Sequence, residues 1–425
     1  MVHTVQREIA GRLLTLETGK LAGQANGAVL VRYEDSVVLV TACASARPRE
    51  EIDFLPLTVD YEERMYAAGK IPGSFFRREG RPPTEAVLDG RLADRSLRPL
   101  FPKGYRHDVQ VIVTVLSADQ KNDPDVLAMI GASAALSISD IPFAGPISGV
   151  RVGYLNGQYL INPTFAQLLE SKLDLMVSGT KDAVVMVEAG ASEVSEELVL
   201  EAVRRGQETN RLVIAMQEEL VAAAGKPKMS FTLKVSPEAQ QAAEAVIARE
   251  VNGRIPAVVF SGREKGEQDH ALGELQREIQ KQLGDTVAKE TFAAAWDGLV
   301  RQEVRRKILR EGTRPDGRGL QAVRPISCEV GVLPRTHGTG LFTRGQTQVL
   351  TITTLASLGQ RQNLDTISPE EHKRYIHHYN FPPYSVGETR RMAGPSRRDI
   401  GHGALAERAL LPVLPSEEPG PPEDG

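Results

Sequence analysis

The chain repeats itself. VLVTACAS at Val38–Ser45 recurs, with one extra residue, as VLTITTLAS at Val349–Ser357. GRLADRSLRPLFP at Gly90–Pro102 recurs as GALAERALLPVLP at Gly403–Pro415, with 7 of 13 positions identical. The offset is 311 to 312 residues for the first pair and 313 for the second. Two matches at so nearly one offset mean two copies of one folding unit, and a repeat constrains architecture before any local propensity does. The first copy runs on far beyond Pro102, whereas only ten residues, SEEPGPPEDG, follow Pro415. The expectation is one complete α/β domain, a helical spacer, and the start of a second copy whose apolar strands either need a partner or pack poorly.

Local patterning fills in that frame. Leu13–Glu17, Gly27–Tyr33 and Ser36–Ala42 alternate or are β-branched, with turn residues between them, and read as strands. Gly80–Pro99 reads as a helix and Val109–Leu116 as a strand. Asp123-Pro124 predicts a helix start, because Asp caps well and Pro suits the first turn; that Ala- and Leu-rich helix should run to about Ser139. Further strands are expected at Gly149–Leu155, Leu173–Gly179 and Val184–Glu188, then a long helix over Ser195–Ala224. Ser236–Leu309 is helical text with one break around Pro256–Gly266. Strand text resumes at Ile326–Leu333, Gly340–Thr343 and Gln348–Thr354.

Composition is that of a globular protein, 41% hydrophobic and 25% charged. There is no apolar run long enough to span a bilayer, and Met1–Leu14 carries charge without an apolar signal core, so neither membrane insertion nor secretion is expected. Cys43 and Cys328 lie far apart in apolar strand text and are expected to be buried thiols of a reducing cytosol. Net charge is −4, yet Arg64–Arg106 holds ten Lys or Arg against four acids. One basic segment in an acidic chain suggests a local polyanion site, with a salt-bridged surface as the plainer alternative.

Within that segment, Phe75-Phe76-Arg77-Arg78 follows Pro72-Gly73 and suits an exposed loop, with Arg81 close by. Bases stack on phenyl faces and guanidinium groups pair with phosphates, and neither contact needs a particular base. The alternative is that both phenylalanines are core residues. Arg91, Arg95 and Arg98 are spaced to share one helical face, which either tracks an anionic backbone or is an ordinary ion-paired surface. His372, His377 and His378 invite a metal reading, but no carboxylate or cysteine has matching ligand spacing, so none is assigned.

Longer stretches carry a resemblance. KIPGSFFRREGRP (Lys70–Pro82), RLADRSLRPLF (Arg91–Phe101), MIGASAA (Met129–Ala135), HYNFPPYSVGE (His378–Glu388) and RRDIGHG (Arg397–Gly403) are similar to the polynucleotide phosphorylase family, from the N-terminus to about Glu418. The resemblance implies an α/β (α+β) fold. Residues 1–225 would form a first ribonuclease-PH-like domain, 236–312 an all-helical domain, 313–418 the truncated start of a second ribonuclease-PH-like domain, and 419–425 a disordered tail. It implies 3′-to-5′ phosphorolysis of single-stranded RNA with inorganic phosphate as co-substrate and Mg2+ as cofactor. It also implies a cytoplasmic homotrimeric ring, association with RNA-degradation complex proteins, and no membrane. Phe75, Phe76, Arg77, Arg78 and Arg81 would touch RNA in the channel, with Arg91, Arg95 and Arg98 behind them. Arg397, Arg398 and His402 would lie beside the phosphate site, where a surface turn is the alternative.

The family's active copy uses a serine-rich phosphate loop and an Asp-x5-Asp-x-Lys run, in which the carboxylates hold metal and the lysine faces the same substrate. In the first copy the counterpart is Leu173–Thr180. Asp174 is present, but Leu168 stands six residues earlier and Met176 two later, and Asn122–Asp125 has no serine cluster. The first copy is therefore expected to be a scaffold and RNA guide without chemistry.

Overall fold

The computed structural model describes residues 1–73, 75–262 and 265–415. The chain forms two compact units: Met1–Phe231 together with the segment from Leu358 onward, and Thr232–Ser357.

The first unit opens with strands β1 (His3–Ile9), β2 (Arg12–Thr18), β3 (Gly27–Tyr33), β4 (Ser36–Pro48) and β5 (Leu57–Glu63). Helix α1 (Thr84–Leu97), β6 (His107–Ser117) and helix α2 (Pro124–Ile138) follow. Then come β7 (Ser148–Leu155), β8 (Gln158–Ile161), the short α3 (Phe165–Glu170), β9 (Leu173–Gly179), β10 (Val184–Ala191) and α4 (Glu196–Ala224). Six strands pair in the order β1-β2-β3-β4-β6-β5, and four more in the order β10-β9-β7-β8. Among the described residues of these two sheets, β5 and β6 are the one parallel pair. Period-two burial explains the first sheet: Val29 and Val31 on β3, and Val38, Val40 and Ala42 on β4, face inward.

Helix α2 lies against β3, β4 and β7, and every one of its residues is buried. A helix that is apolar all round belongs in a core. One glycine in this helix and one facing it on β7 keep the packing close. A Cβ on Gly131 would fall 2.5 Å from a Val40 methyl, and one on Gly149 of β7 would fall 2.1 Å from the Met129 sulfur. Asp123 caps α2 as expected, accepting from the Asp125 N–H, and Ser195 caps α4, accepting from that of Leu198.

The second unit contains helices α5 (Pro237–Val251), α6 (Arg254–Val259), α7 (Lys265–Leu283) and α8 (Lys289–Glu311), around a core that includes Ile247, Ile279, Phe292 and Trp296. Three antiparallel strands follow: β11 (Ile326–Val330), β12 (Gly338–Arg344) and β13 (Thr347–Thr353), with β11 and β13 exposed throughout. The chain then returns to the first unit with α9 (Arg397–Leu410), the repeat counterpart of α1, which packs against α1. No helix among the described residues is long and apolar enough to cross a membrane.

Several expectations change. Cys43 and Cys328 are exposed, not buried. Cys43 follows inward-facing Ala42, so the pleat turns it outward opposite exposed Gln110. The helical text breaks twice: in the expected stretch, where α6 ends at Val259 and α7 starts at Lys265, and also at Asn252-Gly253, both at positive φ, with Pro256 inside the first turn of α6 where its missing N–H costs nothing. Strands β1, β5 and β8 and helix α3 were not anticipated. The tail from Ser416, expected to be disordered, lies outside the described residues.

Candidate functional site

The basic segment builds a loop with a closed base and an exposed tip. A 3-10 turn at Met65–Ala68 ends at Gly69 with φ +67°, which turns the chain outward. The Met65 N–H donates to the Glu79 carboxylate at 3.2 Å, joining the two legs. On the outgoing leg, Lys70 Nζ donates to the Thr366 carbonyl at 2.9 Å and the Gly73 N–H to Asp365 Oδ2 at 2.7 Å. Beyond these ties Phe75 is 94% and Phe76 84% exposed, with ring centroids 5.4 Å apart in a T-shaped pair. Arg77, Arg78 and Arg81 are exposed beside them. The phenylalanines are therefore not core residues. Exposing two such rings forgoes roughly 1.5–3 kcal/mol of burial each, so this loop is not shaped by the chain's own packing.

The arginine face of α1 has partners within the chain. Arg98 forks onto Asp94, with both nitrogen–oxygen distances 2.6 Å, and also donates to the carbonyls of Leu55 and Leu57. Arg95 pairs with Glu188, and so does its repeat counterpart Arg408 at 3.1 Å. Arg91 lies against Gly401 of α9, where a Cβ would fall 2.5 Å from its Nε. An RNA phosphate reaching Arg95 or Arg98 would have to compete with a carboxylate already in place. The second-copy cluster also has partners within the chain. Arg397 pairs with Asp60 and donates to the Val59 carbonyl, Arg398 lies 5.9 Å over the Phe381 ring, and His402 is exposed beside Tyr379, centroids 5.1 Å apart.

The first-copy counterpart of the catalytic strand is occupied from within. Asp174 lies on β9 with buried Met176 two residues on, and Leu168 sits on α3. Arg151 on β7 pairs in register with Met176, so the cation arrives from the neighbouring strand instead of from the expected lysine position. Both terminal nitrogens are engaged, while its buried Nε has no partner among the described residues. Nη1 donates to both oxygens of Asp174 at 2.9 Å, and Nη2 to Asp123 at 3.1 Å and Asp125 at 2.5 Å. Asp123 is the N-cap of α2, so a carboxylate stands at the helix N-terminus that would otherwise suit a phosphate.

Acids outnumber the one arginine. Burial pushes Asp125 up to about 7 although Arg151 opposes the shift, and burial followed by Asp125 and Asp123 raises Asp89 well above the usual carboxylate range. Burial and then Glu85 push Glu63 to about 7, against the Ile367 N–H, which donates to it. The excess acids therefore favour holding protons near neutral pH. With Asp174 clamped and Leu168 and Met176 apolar, the residues present do not fit a divalent cation. No group of three or more His, Cys, Asp or Glu among the described residues is arranged to hold one.

Sequence reasoning thus located the exposed loop and Asp174, but missed Arg151, Glu79 and Asp365. Arg151 sits in GVRVGYL as the one charge on a strand otherwise apolar, a signal that asks for a carboxylate partner without saying where. Asp365 and Glu79 carried no pattern.

Comparison with known proteins agrees with this architecture. The model of the 3′ exoribonuclease family, domain 1, matches residues 10–142 and again 322–422, in keeping with the repeat. Domain 2 of that family matches 145–209, and the polyribonucleotide nucleotidyltransferase RNA binding domain matches 243–319. The polyribonucleotide nucleotidyltransferase of Thermomicrobium roseum is 54% identical over 99% of this chain and 54% of its own length. That of Heliobacterium modesticaldum is 55% identical over 97% of this chain and 58% of its own, and that of Roseiflexus sp. 54% identical over 99% and 57%. The chain spans a little more than half the length of these relatives. It belongs to the 3′ exoribonuclease family, in its polyribonucleotide nucleotidyltransferase branch.

Proposed function

We propose that this chain grips single-stranded RNA for a polyribonucleotide nucleotidyltransferase that shortens RNA from its 3′ end by phosphorolysis, releasing nucleoside diphosphates. The observation that carries the reading is the loop tip, where two phenyl rings and a row of arginines are exposed on a closed base. Rings and guanidinium groups side by side bind bases and phosphates without regard to sequence, as a processive enzyme requires. In this proposal Phe75, Phe76, Arg77, Arg78 and Arg81 make the primary contact. Arg91, Arg95 and Arg98 shape the helix behind them and meet RNA only by exchanging partners.

The first copy acts as scaffold and guide, because Arg151 neutralises the carboxylate that chemistry would need. Residues 1–225 form the first copy, 236–312 the helical spacer and 313–418 the start of the second. Phosphate would be handled near Arg398 and His402, with Arg397 holding that helix to β5. The setting is a cytoplasmic homotrimer that works with RNA-degradation proteins and uses Mg2+ at residues other than those of the first copy. A second reading, a non-catalytic RNA-binding ring scaffold, is favoured by the clamped Asp174. Fluorescence anisotropy with oligoadenylate tests the shared element: replacing Phe76, Arg77 and Arg78 by Ala should abolish most of the binding, and undiminished binding would remove the loop from the account.

A further inference from the structure

We infer that Asp365 is a positioning residue for the RNA-contact loop, an inference that rests on the reading of that loop as the RNA grip. Besides the Lys70 N–H bond back to the Met65 carbonyl at 2.9 Å, the Lys70 ammonium and the Gly73 N–H tie the outgoing leg to one short segment, Asp365–Thr366. That segment is itself fixed. Thr366 and Ile367 are each 4% exposed, Ile367 belongs to the main hydrophobic core, and its N–H donates to Glu63 at the end of β5. The Thr366 and Ser368 hydroxyls bond each other at 2.9 Å. Asp365 is exposed, two residues from the Ile367 anchor.

A carboxylate on a rigid mount that accepts from a backbone N–H makes a charge-assisted bond, stronger than a neutral one. Here it fixes the glycine two residues before Phe75. The approach is close: a Cβ on Gly73 would lie 2.4 Å from Asp365 Oδ2 and 3.1 Å from its Cγ, so a side chain there would displace the carboxylate. Glycine at 73 thus lets Asp365 reach the backbone N–H, and no positive φ calls for it. Because Asp365 lies in the returning segment and the loop in the first copy, the contact makes the first copy's RNA grip depend on the second copy's chain. Freed of that tie, the stem would sample more conformations, and ordering it on RNA would cost affinity.

The test uses the full chain and oligoadenylate, with anisotropy for affinity and hydrogen exchange at the Gly73 amide as a direct reading of the bond. D365A and G73A should each weaken binding roughly 5- to 10-fold, on the scale of one charge-assisted hydrogen bond. The double variant should be no weaker than either single one, since both remove the same contact. D365N, which keeps an acceptor oxygen, should bind within about twofold of the parent, and exchange at Gly73 should be fast in D365A and slow in D365N. Wild-type affinity in D365A, beside lost binding on replacing Phe76, Arg77 and Arg78, would overturn the inference and leave the loop reading standing. Additive losses in the double variant would also overturn it. Full binding by the loop variant would overturn the loop reading, and the positioning role with it.

Discussion

Replacing Arg151 by Met should destabilise the first unit in a strongly pH-dependent way. The guanidinium has three carboxylate partners, but they are not equivalent. The Asp174 and Asp123 side chains are 41% and 22% exposed and can return to water, so their loss costs little. The Asp125 side chain is 1% exposed, its Oδ1 already lacks a partner, and its Oδ2 is held by Arg151. Removing Arg151 strands that carboxylate, for which about 3–5 kcal/mol is the usual scale. For a unit of this size 1 kcal/mol moves the melting temperature by about 2–4 °C, so a fall on the order of 10 °C is expected at pH 8. Asp125 can escape by taking up a proton, so the loss should shrink to roughly half or less at pH 5.5. R151M/D125L, which removes both charges, should recover most of the stability. Thermal unfolding followed by circular dichroism at both pH values decides it. If R151M melts within 2 °C of the parent at pH 8, or loses as much at pH 5.5, the clamp is not what holds this centre together.

Two further expectations follow from the same geometry. If Arg77, Arg78 and Arg81 meet about three phosphates, raising salt from 50 to 200 mM should weaken oligoadenylate binding roughly 20-fold, and R77A/R78A should reduce the logarithmic salt slope by about 1.4; a slope unchanged in that variant would mean the charges lie elsewhere. Glu63, raised from 4.5 to about 7, binds a proton more tightly in the folded state, so it adds stability below its unfolded value that is lost as pH rises toward 7, at up to about 1.4 kcal/mol per pH unit. Unfolding titrations of E63Q should show a flatter decline between pH 4.5 and 7, and an unchanged decline would assign the titration to other groups.

The fold was legible wherever local chemistry decides it. Strand β3 and the cap Asp123 stand where alternation and capping placed them. Strand β5 was missed because LTVDYEE alternates but carries three acids, and only its pairing with β6 makes it a strand. The parity that buries Ala42 and exposes Cys43 was present in the sequence, but apolar surroundings outweighed it. The exposed loop was legible through the family resemblance, since composition alone left a core place open for both phenylalanines. Arg151 and Asp365 were not, since their meaning is a long-range contact: Arg151 acquires Asp174 through strand register, and Asp365 acquires Gly73 across 292 residues of chain. Repeats and periodicity report the scaffold, whereas the ion pairs around Arg151 and the bond from Gly73 to Asp365 depend on tertiary placement.

The central claim is that the residues present grip RNA without cutting it. The most direct test incubates the purified chain with oligoadenylate, inorganic phosphate and magnesium, and measures nucleoside diphosphate. The account predicts RNA binding with no nucleoside diphosphate released. Phosphate-dependent release that is lost on chelating the metal would contradict it, and would mean that the centre around Asp174 and Arg151 performs chemistry after all.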